Sequence, residues 1–287
     1  MPVSDQELTS LAGSNDIISL GMLADEVRRR RHGARTTFVR VVDVPFAETP
    51  DIPSAPRAGE VRIVGIPQSR AAAVACVRTL SQSVQGVPLT GFSLADLEQL
   101  SAQDGVTLRS LLEELHAAGL ELVAEAPFDR LQDPRRSIEE VNIAGLALAR
   151  LTIHQSPSSD PLPLLKAVAE LQRSVAVIRA FAPLPRKLNP AVPTTGYDDV
   201  KRVALARIVV DNVPSIQVDW TLYGPKLAQV ALTVGADDVD AVSAVDDLSE
   251  GWRRAPLEEI RRNITAAGLE PVERNGRFDI VRIEQPQ

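Results

Sequence analysis

Apolar and polar positions follow two rhythms that take turns along this chain, and the order of the turns predicts an architecture. A helical stripe of Ile17, Ile18, Leu20, Leu23, Ala24 and Val27 runs from about Ser14 to Arg31, with Ser14 or Asn15 placed to cap it and His32-Gly33 to close it. A β-rich run, Thr36 to Val44, comes next. The proline-studded stretch Pro45 to Pro56 reads as a loop, and Val61 to Ile66 is a second β-rich run. Beyond it, helical patterns (Ala71 to Ser83, Leu94 to Gly119 with a break near Gly105, Ile138 to Arg150, Pro161 to Gln172, Tyr197 to Asp211, Lys226 to Val234) alternate with short apolar runs. Those runs are Pro88 to Phe92, Leu120 to Ala126, Leu151 to His154, Val175 to Phe181 and Ile216 to Leu222.

Strands alternating with helices of roughly 10 to 15 residues imply parallel pairing through crossover helices, and so many units favour a barrel over a short open sheet. The expected class is α/β: a complete or partial (β/α) barrel over residues 1–236, including the N-terminal helix, with 237–287 as a C-terminal extension packed on it. That extension holds a helix, Leu257 to Ala267, and a strand pair around Glu273 to Arg277, where Asn275-Gly276 is a hairpin signal. In a barrel strand, alternate residues face the lumen. Ile216, Val218, Trp220 and Leu222 then leave Gln217, Asp219 and Thr221 on the other, polar side. The same reading of Glu121 to Ala126 and Val175 to Ala182 brings Glu125, Arg179 and Asp219 together in the lumen. Gln217, Thr221 and these three are the candidate ligand-binding residues, with a purely structural ion-pair network as the alternative.

Composition narrows the function. The chain has 287 residues, 44% hydrophobic and 24% charged, which supports a buried core rather than disorder. A net charge of -7 argues against nucleic acid or an anionic membrane as partner. The start, MPVSDQELTS, has no signal-peptide pattern, and no apolar run reaches the membrane-spanning length of about 18 residues, so a cytoplasmic location without membrane insertion is expected. Arg28 to Arg31 fall in a last helical turn, where cations complement the helix dipole. The usual hydrolase and nucleotide-binding motifs are absent, and His32, His116 and His154 lack metal-ligand spacing. The single cysteine, Cys76, lies in the apolar helical stretch AAAVACVRTL and reads as a small buried hydrophobe.

One segment carries a specific resemblance. LARIVVDNVP (Leu205 to Pro214), GPKLAQVAL (Gly224 to Leu232) and GADD (Gly235 to Asp238) resemble the closing part of the radical S-adenosylmethionine (radical SAM) family that makes menaquinone and deazaflavin precursors, nearest its aminofutalosine synthase branch. Gly224, Lys226, Gln229, Asp237 and Asp238 are the family-motif positions. Weaker likeness covers SNDIISLGMLADEVRRRRHG, RIVG, GFSLADLEQLSAQDGVTLRSLLEELHAAGL and APLEEIRRNITAAGLEPVERN, hence most of the chain. The resemblance implies a radical-SAM-type barrel, with a [4Fe–4S] cluster held by C-x-x-x-C-x-x-C in the loop after Val44.

Here that loop reads PFAETPDIPSAPRAGE and holds no cysteine. A cluster with one open iron needs about three thiolates. The family's second glycine after the strand near residue 63 is Ile66, and its glycine-rich turn after the strand near 121 is Val123 to Pro127. No cluster is expected, and no S-adenosylmethionine binding. The expectation is a non-catalytic relative acting in futalosine-pathway menaquinone biosynthesis. It would serve as subunit or regulator of a cluster-bearing relative, or would bind a small-molecule pathway intermediate. The alternative is an enzyme repurposed to cluster-independent acid–base chemistry in the lumen.

Overall fold

The structure, a computed structural model, describes residues 5–47, 57–84, 86–155, 160–187, 195–245 and 255–281. Helices α1 (Asp5–Gly13) and α2 (Ile17–His32) lead into β1 (Arg35–Pro45). There follow β2 (Glu60–Val64), α3 (Arg70–Ser83), β3 (Leu89–Ser93), the pair α4 (Leu94–Gln103) and α5 (Leu108–Ala118), β4 (Leu122–Pro127) and α6 (Pro134–Ile143). The second half runs through β5 (Ala147–Leu148), β6 (Leu151–Ile153), α7 (Leu162–Val175), β7 (Ala180–Pro185), α8 (Gly196–Val209), β8 (Ser215–Asp219) and α9 (Trp220–Thr233). It continues with β9 (Asp238–Ser243), α10 (Pro256–Ala266) and β10 (Glu270–Arg274).

Every strand-to-strand ladder is parallel. The order β1-β2-β3-β4-β6-β7-β8-β9, with β9 pairing back onto β1, closes the barrel expected from the sequence. The short β5 sits beside the start of β4 and β6 beside its end, so the two share one position. Alternation decides the two faces: Phe38, Val42 and Val44 of β1, Val61 and Ile63 of β2, and Ile216 and Val218 of β8 are buried in the apolar layer under the helices. Local chemistry sets the helix ends. Asp16, rather than Ser14 or Asn15, caps α2 by accepting from the Ser19 amide at 3.0 Å, and Thr195 with Asp198 forms a capping box that starts α8.

The barrel runs past the boundary at residue 236. Strand β9 lies beyond it and pairs with both β8 and β1. Its sequence, DVDAVS, carries two buried aspartates, Asp238 and Asp240, so it lacks the apolar run by which the other strands are recognised. Nor is the tail merely laid on the outside. β10 pairs parallel with Arg35 to Val39 of β1, while β2 takes Val41 to Pro45, so the two occupy the same edge of β1 end to end. The join is hydrogen bonded: the Gly276 amide donates to Gly59 O at 3.0 Å and the Gly59 amide to Arg40 O at 2.9 Å. Asn275-Gly276 does turn the chain, giving one antiparallel bridge between Arg274 and Ile280.

A third difference concerns β7. Helix α7 persists to Val175 and ends on Ala176 in left-handed backbone (φ 55), so extended structure begins only at Ala180. Tertiary context extends the helix where the valines of Val175 to Ile178 suggest strand.

Arg274 anchors the inserted strand. Its Nε and Nη2 donate to the two carboxylate oxygens of Asp238, each at 2.6 Å, and its guanidinium lies 4.0 Å from the Phe278 ring centroid. Arg274→Met leaves Asp238 buried against Thr37 and Gln217 alone and is expected to cost about 3 kcal/mol in urea unfolding. The double variant Arg274→Met/Asp238→Asn should recover part of that loss.

Candidate functional site in the barrel lumen

The lumen is polar throughout its depth, and its groups form layers. At the N-terminal end of the strands, Asp238 receives Arg274, the Thr37 hydroxyl at 2.5 Å and the Gln217 amide at 2.6 Å. At mid-depth, Asp240 on β9 takes both Arg62 of β2, at 2.8 and 3.1 Å, and Arg150 from the opposite wall. Arg62 also donates to Glu60 at 2.7 Å, and Thr90 of β3 donates to the same carboxylate at 2.6 Å. At the C-terminal end, Arg186 bridges Asp219 at 2.5 Å and Glu125 at 3.2 Å, and Tyr223 donates to Pro185 O at 2.5 Å.

Burial opposes the charge of Asp240, yet Arg150 and Arg62 outweigh it and hold the carboxyl well below the ordinary range. The same balance keeps Glu60 low, with Arg62 overcoming burial. Asp43, at the open end of β1, behaves oppositely: burial pushes its carboxyl up, Arg62 offsets this in part, and Asp240 and Glu60 add to it. Asp43 is thus a carboxyl at the C-terminal face, where barrels of this kind carry their chemistry. Left-handed backbone at Phe92 (φ 64) and Ala241 (φ 59), on β3 and β9, adds the local strain that collects at functional sites.

The residues singled out in the sequence divide cleanly. Glu125, Asp219 and Gln217 reach the lumen, Glu125 and Asp219 joined through Arg186. Arg179 does not. Because β7 starts at Ala180, Arg179 stands at the N-terminal rim, where it donates to Arg277 O at 2.6 Å, and Arg186 at the far end of the same strand takes the expected place. Thr221 lies in the first turn of α9 and donates to Ala241 O at 2.8 Å.

Of the family-motif positions, Gly224 supplies the positive φ (74°) that kinks α9 ahead of Pro225, and Lys226 and Gln229 ride the outer helix beyond it. Asp237 accepts from the Ile216 amide at 2.8 Å and pairs with Arg207. Gly235 (φ 114) lets Arg207 pass where a Cβ would stand 2.8 Å from it. LARIVVDNVP and GADD therefore lock α8 to the N-terminal rim of the barrel, the end opposite the open carboxyls. Arg62, Arg150, Arg186 and Asp43 went unnoticed in the sequence, although Arg62 and Arg150 are visible there as cations flanked by apolar strand residues.

The residues present do not fit a [4Fe–4S] cluster. The sole thiol, Cys76, is buried on α3, and burial pushes it up, away from the thiolate form. Among the described residues no group of three His, Cys, Asp or Glu is arranged to hold a metal ion, and no helix is long and apolar enough to cross a membrane. Residues 48–56 of the proline-studded loop lie outside the described residues, and their sequence supplies no thiol.

Residues 183–286 match the CofH/MqnC C-terminal region family. The chain is similar to aminodeoxyfutalosine synthase of Thermus thermophilus, 27% identical over 244 residues, 72% of this chain and 64% of that one. It is also similar to 5-amino-6-(D-ribitylamino)uracil--L-tyrosine 4-hydroxyphenyl transferase of Methanosphaerula palustris, 24% identical over 61% of this chain and 55% of that one. The matched region thus spans less than two thirds of either relative. In fold it is similar to methylornithine synthase (PylB), with a TM-score of 0.66 at 13% identity over 94% of each chain. The resemblance and the barrel read from the sequence are borne out.

Asp240→Asn leaves Arg62 and Arg150 short of a counter-charge in the interior and is expected to cost about 3–5 kcal/mol by urea denaturation at neutral pH. A carboxyl held low in the folded state gives stability that is present above its unfolded value, about 3.9, and lost as pH falls from there toward the folded value. The acid limb of unfolding free energy against pH should therefore be steeper in the wild type than in Asp240→Asn.

Proposed function

We propose, on the premise that the chain belongs to the radical SAM family of menaquinone and deazaflavin biosynthesis, that it is a cluster-free member of that family. It is related to enzymes of the futalosine pathway. In this reading it performs no radical chemistry, binds neither a cluster nor S-adenosylmethionine, and holds a small polar pathway intermediate in its lumen while acting as subunit or regulator of a cluster-bearing relative. One observation carries the reading: the lumen scaffold is complete, whereas the chain's only thiol is buried on α3 and the loop in which the family places its ligands carries none in its sequence. The bridge Glu125–Arg186–Asp219 supports it, because these side chains stand at the open end of the barrel.

A second reading, cluster-independent acid–base catalysis, is favoured by Asp43, whose raised carboxyl lies at that same end. Asp43→Asn or Asp219→Asn with the fold intact would then abolish the activity.

Anaerobic reconstitution with iron and sulfide, alone and beside a cysteine-bearing relative, tests the first reading. The chain alone should remain free of iron and should not cleave S-adenosylmethionine, while changing the turnover of the relative. Stoichiometric iron uptake with cleavage by the chain alone would overturn it.

A further inference from the structure

Eight large hydrophobic side chains stand exposed among the described residues, and four of them share one place on the outer, helical side of the barrel. Ile18 (73% exposed) and Met22 (69%) of α2, Tyr197 of α8 and Val230 of α9 line a groove of about 370 Å³, with Gly21 and Val234 behind them. A contiguous apolar surface of this kind marks a site of association.

The helices that build the groove all point the same way. Tyr197 Oη donates to Asn15 O at 3.0 Å and Lys201 Nζ to Ser14 O at 2.8 Å, so the start of α2 lies beside the start of α8, while Arg31 at the far end of α2 donates to Val213 O at 2.7 Å. α9, like α8, runs from the end of one parallel strand back to the start of the next. A Cβ on Gly21 would stand 2.9 Å from Val234 Cγ1, which sets the middle of α2 level with the end of α9. At a rise of about 1.5 Å per residue, Lys226 then stands about 12 Å above that contact and Glu26 about 8 Å below it. The midpoint between the two charges falls among Ile18, Met22 and Val230.

That placement says what covers the groove. Lys226 is exposed and has no counter-ion among the described residues. Glu26, 57% exposed, pairs with Arg30 one turn along its own helix, a surface pair worth little. A two-fold rotation about the midpoint lays apolar on apolar, Ile18 against Met22 of a second copy, and brings Lys226 of each copy to Glu26 of the other. An unrelated partner has no reason to match charges set symmetrically about the centre of the groove. We infer that the α2–α8–α9 groove is a two-fold interface between copies of this chain. Its apolar centre supplies the desolvated core of a dimer contact of about 800 Å² per partner, and the flanking helix faces supply the polar rim.

Sedimentation velocity on the full chain over a range of concentrations tests it, and a reversible dimer is expected. Met22→Lys sets a charge in the apolar centre of each copy and should weaken the dimer at least about 10-fold. Lys226→Glu and Glu26→Lys should each weaken it about 5-fold, whereas an equimolar mixture of these two variants should associate as tightly as the wild type. All three side chains are exposed, so the circular dichroism of each variant should match the wild type. A chain monomeric at every concentration, a dimer indifferent to Met22→Lys, or a mixture no tighter than its components overturns the interface. If the chain is monomeric and Met22→Lys instead abolishes binding to a cysteine-bearing relative, the groove belongs to that relative, which overturns the second copy as occupant.

Discussion

The interior of this barrel is organised around one carboxylate. Asp240 receives guanidinium groups from opposite walls, Arg62 on β2 and Arg150 at the start of β6, and so ties strands that are distant in sequence across the axis. A side chain so placed must remain ionised in a medium that resists charge, and it does so only because both cations are fixed around it. The polarity of the other lumen groups follows: Glu60 shares Arg62, Thr90 satisfies Glu60, and Asp43 is destabilised as an anion by burial first, with Asp240 and Glu60 adding to it. An apolar filling of equal volume would serve stability as well or better.

The two ends of the barrel divide the labour. At the N-terminal rim, Arg207 with Asp237 and Arg274 with Asp238 fasten a helix and an extra strand to the strand starts, and the conspicuous GADD segment does its work there. At the C-terminal end, Arg186, Glu125, Asp219 and Asp43 surround an opening. Family likeness in the sequence is concentrated at the fastening end, whereas the ligand loops of the family have no thiols here.

Legibility from sequence followed the same division. Strands with apolar faces, such as β2, β4 and β8, were readable from alternation, and Gln217 and Asp219 were placed on the correct side by it. β9 was not readable, since its inward residues are aspartates whose burial depends on arginines far away in sequence. Arg179 falls outside the lumen because α7 runs to Val175 and the residues from Ala176 to Arg179 are irregular, so the strand starts only at Ala180. Arg150 shows only its apolar flanks locally: a cation between two short strands gives no indication of its partner, 90 residues away.

The end-to-end placement of β2 and β10 on one edge of β1 also bears on how the protein is made. β1, made before the other strands of this barrel, meets one of its neighbours, β9, only after residue 238 and completes its other edge only with residues 270–274. Until then the nascent sheet has two open edges, and parallel strands exposed in that way are slow to pair and prone to join the wrong chain. The buried aspartates of β9 oppose that error, since a strand carrying them gains little from any neighbour that lacks the matching arginines. The charges that fill the finished lumen thus also guard the half-made barrel against premature or foreign closure.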